Sequence, residues 1–88
     1  EGLLFRNILG RVAKAMLELA ERAGETHNGG RLFKEHFTQQ ELADLVGTPR
    51  APLTRALSSL TRPGLIAMHQ GRYSIPTPEK LAGLCIET

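Results

Sequence analysis

At 88 residues, with 11 Lys and Arg against 9 Asp and Glu, three histidines and one cysteine, the chain has room for one small domain and a modest core but little for a catalytic cleft. Its longest apolar runs are a few residues, which excludes a membrane-spanning helix, and no charged, apolar, small-residue start marks a signal peptide. A lone Cys85 excludes an internal disulfide and suits a reducing compartment. A cytoplasmic domain is therefore expected, with Cys85 a packed thiol between Leu84 and Ile86 rather than a redox sensor.

Residues 1–25 balance in charge, Arg6, Arg11, Lys14 and Arg22 against Glu1, Glu18, Glu21 and Glu25. Ile8, Val12, Ala15, Met16, Leu19 and Ala23 recur at helical spacing and predict a first helix over about residues 7–23. Gly24 stops it, and residues 24–30 read as a loop. The segment 31–37 holds Leu32, Phe33 and Phe37 and suggests a small edge strand. Thr38-Gln39-Gln40-Glu41 places a hydroxyl and a carboxylate three residues apart, the capping box that starts a helix at Thr38 and carries it to about Val46.

Gly47 stops this second helix, Thr48 is positioned to cap the next, and Pro49 stands at a first helical position, where a missing N–H costs nothing. Helix three is expected over about residues 49–61. Leu53, Ala56, Leu57 and Leu60 line its inner side, while Ala51, Thr54, Arg55, Ser58, Ser59 and Arg62 form a continuous polar arc. Pro63-Gly64 ends it. Residues 65–69, the turn Gln70-Gly71 and residues 72–75 read as a two-stranded hairpin, and a last short helix opens with Thr77 as cap and Pro78 as first residue, turning Leu81 and Leu84 inward.

The charge is concentrated in that second half. From Thr48 to Ile75 there are four arginines, Arg50, Arg55, Arg62 and Arg72, and no Asp or Glu, against a net −1 over both residues 26–47 and residues 76–88. A solvated basic face is the plain alternative. The order of elements argues for more, because two short helices joined by a tight glycine turn are how a helix-turn-helix presents its second helix to DNA. Ala43 supplies the small residue at the helix crossing, Gly47 the left-handed turn, and Leu42, Val46, Leu53 and Ala56 the inward positions. The expected fold is mainly α with a small β-hairpin wing: a winged helix-turn-helix with a three-helix core, short antiparallel strands and a short C-terminal helix.

Gly10-Arg11-Val12-Ala13-Lys14 through Leu19-Ala20, Thr38 to Ala43, Arg50 with Arg55, and Gly64-Leu65-Ile66 together resemble the C-terminal DNA-binding domain of the CRP/FNR family of bacterial transcription regulators, a family related to cyclic nucleotide-binding sensors. The resemblance covers about residues 7–82. It implies that residues 1–6, with Leu3, Leu4 and Phe5, are the remnant of a hinge after a dimerisation helix, that residues 7–84 are the DNA-binding domain, and that residues 85–88 are a tail. It also implies a missing N-terminal effector-binding β-barrel. The full-length protein is then a homodimer on a palindromic operator, while the piece is a monomer on one half-site. The family's best-known activator touches RNA polymerase through the loop equivalent to residues 24–30. No cofactor is expected in this piece, and the effector stays open.

The family's recognition helix typically starts Ser-Arg-Glu-Thr-Val-x-Arg, where this chain has Pro49-Arg50-Ala51-Pro52-Leu53-Thr54-Arg55. Both arginines match, so helix 49–61 is expected in the major groove with Arg50 and Arg55 as readers of guanine O6 and N7. Ala51 replaces the family's glutamate, removing an acceptor for cytosine and leaving a methyl for thymine. Thr54 completes the base-facing set. Pro52 stands at the fourth position of the expected helix, where it removes a backbone bond and crowds the Thr48 carbonyl, so a late start or a bend is expected and the phosphate contact of the family's threonine is lost. Phosphate candidates are Thr38 and Gln39 at the start of helix two, Thr48, Ser58 and Arg62 along helix three, and His69 and Arg72 in the wing over residues 65–75.

His27, His36, His69 and Cys85 lack the close spacing of a structural metal site. No glycine-rich phosphate loop or nucleophile triad is present, and Glu18 and Glu21 read as a solvated helix surface, so an enzyme is not expected. The competing function is a winged helix that docks proteins without binding DNA.

Overall fold

The periodic apolar positions of the first quarter of the chain form α1 (Leu3–Ala23) in the computed structural model, which describes residues 3–85. It starts four residues before the expected Asn7, since nothing between Leu3 and Arg6 breaks a helix. Residues 1–2 of the expected hinge and residues 86–88 of the expected tail lie outside the described residues. Val12, Ala13, Met16 and Ala20 are fully or almost fully buried along one face. They pack with Leu42, Ala43, Leu53, Ala56, Leu57 and Leu60 from the next two helices and with Phe33, Ile66, Tyr73, Ile75 and Leu81.

The expected loop 24–30 is instead a hairpin. Strands β1 (Gly24–His27) and β2 (Gly30–Phe33) pair antiparallel through Asn28-Gly29, both with positive φ (49° and 82°), as a two-residue type I′ turn requires. The edge strand expected over 31–37 is likewise corrected. β2 ends at Phe33 and is an interior strand, because it pairs on its other side with β4 (Arg72–Ile75), which in turn pairs with β3 (Ala67–His69). The wing is thus half of a four-stranded antiparallel sheet in the order β1-β2-β4-β3. Gly30 is required where β2 meets β4: a Cβ there would stand 2.3 Å from the Ile75 carbonyl oxygen.

Phe33, Tyr73 and Ile75 face the helices, and burial raises the pKa of the Tyr73 phenol, which stays neutral. On the far face the rows Glu25–Leu32–Ser74–Ala67 run across the sheet, burying Leu32 and Ser74. β3 begins at Ala67 rather than Leu65, because the N–H groups of Leu65 and Ile66 are both bonded to Leu60 O and finish the preceding helix. The last helix, α4 (Pro78–Ala82), follows Thr77 and buries Leu81, although the Thr77 hydroxyl makes no cap bond. Cys85 is half-buried against the core with its thiol directed at Leu81 O.

Helix α2 (Gln39–Val46) has the capping box as read: Thr38 Oγ1 accepts from Glu41 N–H at 3.0 Å and Glu41 Oε1 accepts from Thr38 N–H at 2.8 Å. Helix α3 (Arg50–Thr61) buries Leu53, Ala56, Leu57 and Leu60 and none of its other residues. Replacing Leu60, 0% exposed, with Ala should cost about 2–5 kcal/mol, whereas Leu45→Ala at a 58% exposed position should stay within about 0.5 kcal/mol. Urea denaturation of the two variants checks this; equal costs would contradict the core assignment.

Candidate nucleic-acid interface

The turn between α2 and α3 decides what α3 presents. Gly47 has φ 83° and ψ 40°, the left-handed conformation that an L side chain resists, and Thr48 N–H reaches back to Ala43 O at 3.0 Å, closing α2 in a Schellman-type end. The carbonyls this leaves exposed are covered from α1: Arg11 Nη2 donates to Val46 O at 2.7 Å and to Gly47 O at 3.4 Å. A cation at a helix C-terminus is favoured by the helix dipole as well as by the bonds.

The start of α3 differs from expectation in two linked ways. Pro49, extended at φ −61° and ψ 160°, is the cap residue rather than the first helical one, and Thr48 does not cap. The Thr48 hydroxyl is buried without a partner and its N–H is bonded to Ala43 O, so a phosphate contact from Thr48 needs its side chain to turn outward. The same one-residue shift rescues Pro52. It occupies the third helical position, and the first helical bond, Leu53 N–H to Pro49 O at 3.4 Å, begins just after it. No intrahelical bond is lost at Pro52, and the helix begins one residue later than expected, at Arg50.

The outer arc of α3 is open. Arg50, Ala51, Thr54, Arg55, Ser58 and Arg62 are exposed and Ser59 is half-buried. Two of these side chains have partners. Thr54 Oγ1 donates to Gln39 Oε1 at 2.5 Å, joining a residue expected at a base to one expected at a phosphate. The Arg55 guanidinium lies over the Phe5 ring, 4.6 Å from its centroid. Thr38 is exposed and engaged in the capping box.

The wing residues belong to a different group. His69 meets His27 across the far face of the sheet, ring centroids 4.6 Å apart, and Arg72 Nη1 lies 3.9 Å from Glu25 Oε2 and donates to Phe33 O at 3.4 Å. Both are thereby held toward β1 rather than beside the α3 arc. The wing tip is anchored by His36, whose Nδ1 is 2.9 Å from Gly71 O. Among the described residues no group of three or more His, Cys, Asp or Glu has the arrangement of a metal site, and no helix is long and apolar enough to cross a membrane.

Residues 10–84 match the Crp-like helix-turn-helix domain. The chain belongs to the CRP/FNR family. It is 41% identical over 81 residues to the CRP-like cAMP-activated global transcriptional regulator of Mycobacterium tuberculosis, covering 91% of this chain and 36% of that protein. It is 37% identical over 65 residues to the cAMP-activated global transcriptional regulator Vfr of Pseudomonas aeruginosa, covering 73% of this chain and 29% of that one. Among solved structures, the reduced CO-sensing protein from R. rubrum superposes with a TM-score of 0.74 at 29% identity, over 93% of this chain and 37% of that chain. The chain therefore spans about a third of the length of the regulators it matches. It is a winged helix-turn-helix DNA-binding domain of the kind found in these transcription regulators.

In this CRP/FNR domain the sequence left two contributors without a role. Arg11 sits in the Gly10–Lys14 motif, but its partners lie 35 and 36 residues away, and Phe5 meets Arg55 across α1 and α3. Local spacing carries no trace of either contact. Arg11→Ala should cost about 0.5–1.5 kcal/mol and speed hydrogen exchange at the Gly47 and Thr48 amides. Protection unchanged at those two amides would show that the turn holds without its cap.

Proposed function

We propose that the chain reads one half-site of a palindromic DNA operator, with α3 in the major groove and the wing against the phosphate backbone. The observation that carries this is the acid-free arc of α3, on which Arg50, Ala51, Thr54, Arg55, Ser58 and Arg62 are all exposed. Arg50 is assigned to a guanine through O6 and N7, with Arg55 as second reader, and the Ala51 methyl favours thymine where a carboxylate would have chosen cytosine. Thr38, Gln39, Ser58, Arg62, His69 and Arg72 are assigned to phosphates. His69 and Arg72 would first exchange their contacts with His27 and Glu25. The larger protein is proposed to act as a cytoplasmic homodimer without enzymatic activity, and the exposed Asn28-Gly29 tip of the β1–β2 hairpin is the proposed contact with RNA polymerase.

Selection from a pool of random duplexes at low salt tests the reading. A guanine-containing half-site should be enriched, and Arg50→Ala and Arg55→Ala should each weaken it by about 1–3 kcal/mol. Raising the salt should lower log K with a slope of about −0.9 per phosphate neutralised, in all about −3 to −5 for one domain. Absence of any salt-dependent binding would move the assignment to a winged helix that docks proteins. Arg55 must also leave Phe5 to enter the groove. An exposed cation–π contact is worth about 0.5–1 kcal/mol, so Phe5→Leu should tighten binding about two- to five-fold; an unchanged Kd would show that Arg55 reads DNA while still stacked.

A further inference from the structure

Thr54 and Gln39 lie 15 positions apart, on the two helices of the helix-turn-helix, and share the 2.5 Å bond from Thr54 Oγ1 to Gln39 Oε1. Resting on the DNA-binding reading above, we propose that Thr54 is a positioning residue, whose hydroxyl fixes the Gln39 side-chain amide so that both Nε2–H donors face a backbone phosphate beside the groove that α3 enters.

A glutamine amide has two ends of opposite use. Its oxygen repels a phosphate and its NH2 group donates to one. A free glutamine offers both ends and loses rotamer freedom when ordered. With Oε1 committed to Thr54, only the donor end is left to turn outward, and the side chain is ordered before DNA arrives. The backbone at the same place supports an anion. Within the first turn of α2, Glu41 N–H goes to Thr38 Oγ1 and Leu42 N–H to Thr38 O, while Gln39 and Gln40 stand at positions whose N–H groups have no intrahelical acceptor. The Glu41 carboxylate occupies the Thr38 N–H, so the backbone donors this turn leaves for a phosphate are those of Gln39 and Gln40, with the Thr38 hydroxyl proton beside them.

The bond also changes what Thr54 offers a base. Its proton is spent on Gln39, so the hydroxyl presents only lone pairs and a methyl group. It can accept from an adenine or cytosine amino group but cannot donate to guanine O6 or N7. Thr54 is exposed and its side chain lies outside the core, so a substitution there acts through this bond rather than through packing.

The test uses the duplex enriched from the random pool, in a series carrying one neutral methylphosphonate at a time. For the unaltered chain, one position flanking the half-site should weaken binding by about tenfold, the scale of a bond to a charged acceptor. Gln39→Ala should abolish that penalty. Thr54→Val should abolish it at the same position and no other, Thr54→Ser should restore it, and the double variant should bind no worse than either single one. A circular-dichroism melt confirms that each variant is folded. A methylphosphonate penalty unchanged by Thr54→Val, or a loss spread evenly over all phosphates, overturns the positioning role. If Thr54→Val instead loses discrimination at one base pair, Thr54 is a base reader and not a positioner. Failure of the unaltered chain to bind any duplex would sink the DNA-binding reading itself, a separate result.

Discussion

Between Val46 and Arg50 the chain must reverse with three residues, and everything α3 presents depends on how that reversal is held. Gly47 supplies the backbone conformation, the Schellman bond to Ala43 closes α2, and Arg11 reaches from α1 to the carbonyls left over. Ala43 and Ala56, both fully buried, leave the helices close enough for the turn to be this short. Once the turn is fixed, Leu53, Ala56, Leu57 and Leu60 must face the core, and the arginine-bearing arc can only face outward. The surface is a consequence of the packing.

What was legible in the sequence was local. The capping box at Thr38 and Glu41, the glycine stop at 47 and the four inward positions of α3 are decided within one or two helical turns, and all stand in the structure as read. Helix α3 starts one residue later than local preference favours: proline suits a first helical position and threonine a cap, but tertiary packing buries the Thr48 hydroxyl instead. That single shift changed the meaning of Pro52 from a helix breaker to a harmless third residue. β1 is hidden in the sequence for a different reason. Asn28-Gly29 is a strong hairpin signal, but Gly24, Glu25 and Thr26 form an edge with no buried alternation to flank it. The ties from Arg11 to Val46, Thr54 to Gln39 and Arg55 to Phe5 join distant segments and leave no periodic trace.

Without DNA, the basic surface is partly satisfied from within. Phe5 holds Arg55, Glu25 and the Phe33 carbonyl hold Arg72, and His27 meets His69. Arg50 and Arg62 extend from opposite ends of α3, where they are exposed. On the proposed reading, binding to DNA would exchange these intramolecular contacts for phosphate and base contacts. Contacts of this kind near the surface are each worth little, so together they would offset only a small part of the affinity for DNA.

The central claim, that the turn aims the open arc of α3 at DNA, is tested most directly by titrating the 15N-labelled chain with a short duplex at low salt and mapping the amide shifts. The account predicts the largest changes at Gln39, Gln40 and residues 50–55, with smaller ones at the Gln70-Gly71 wing tip and none along the solvent side of α1. Shifts centred instead on the exposed Leu45 and Met68, or no shifts at all, would contradict it.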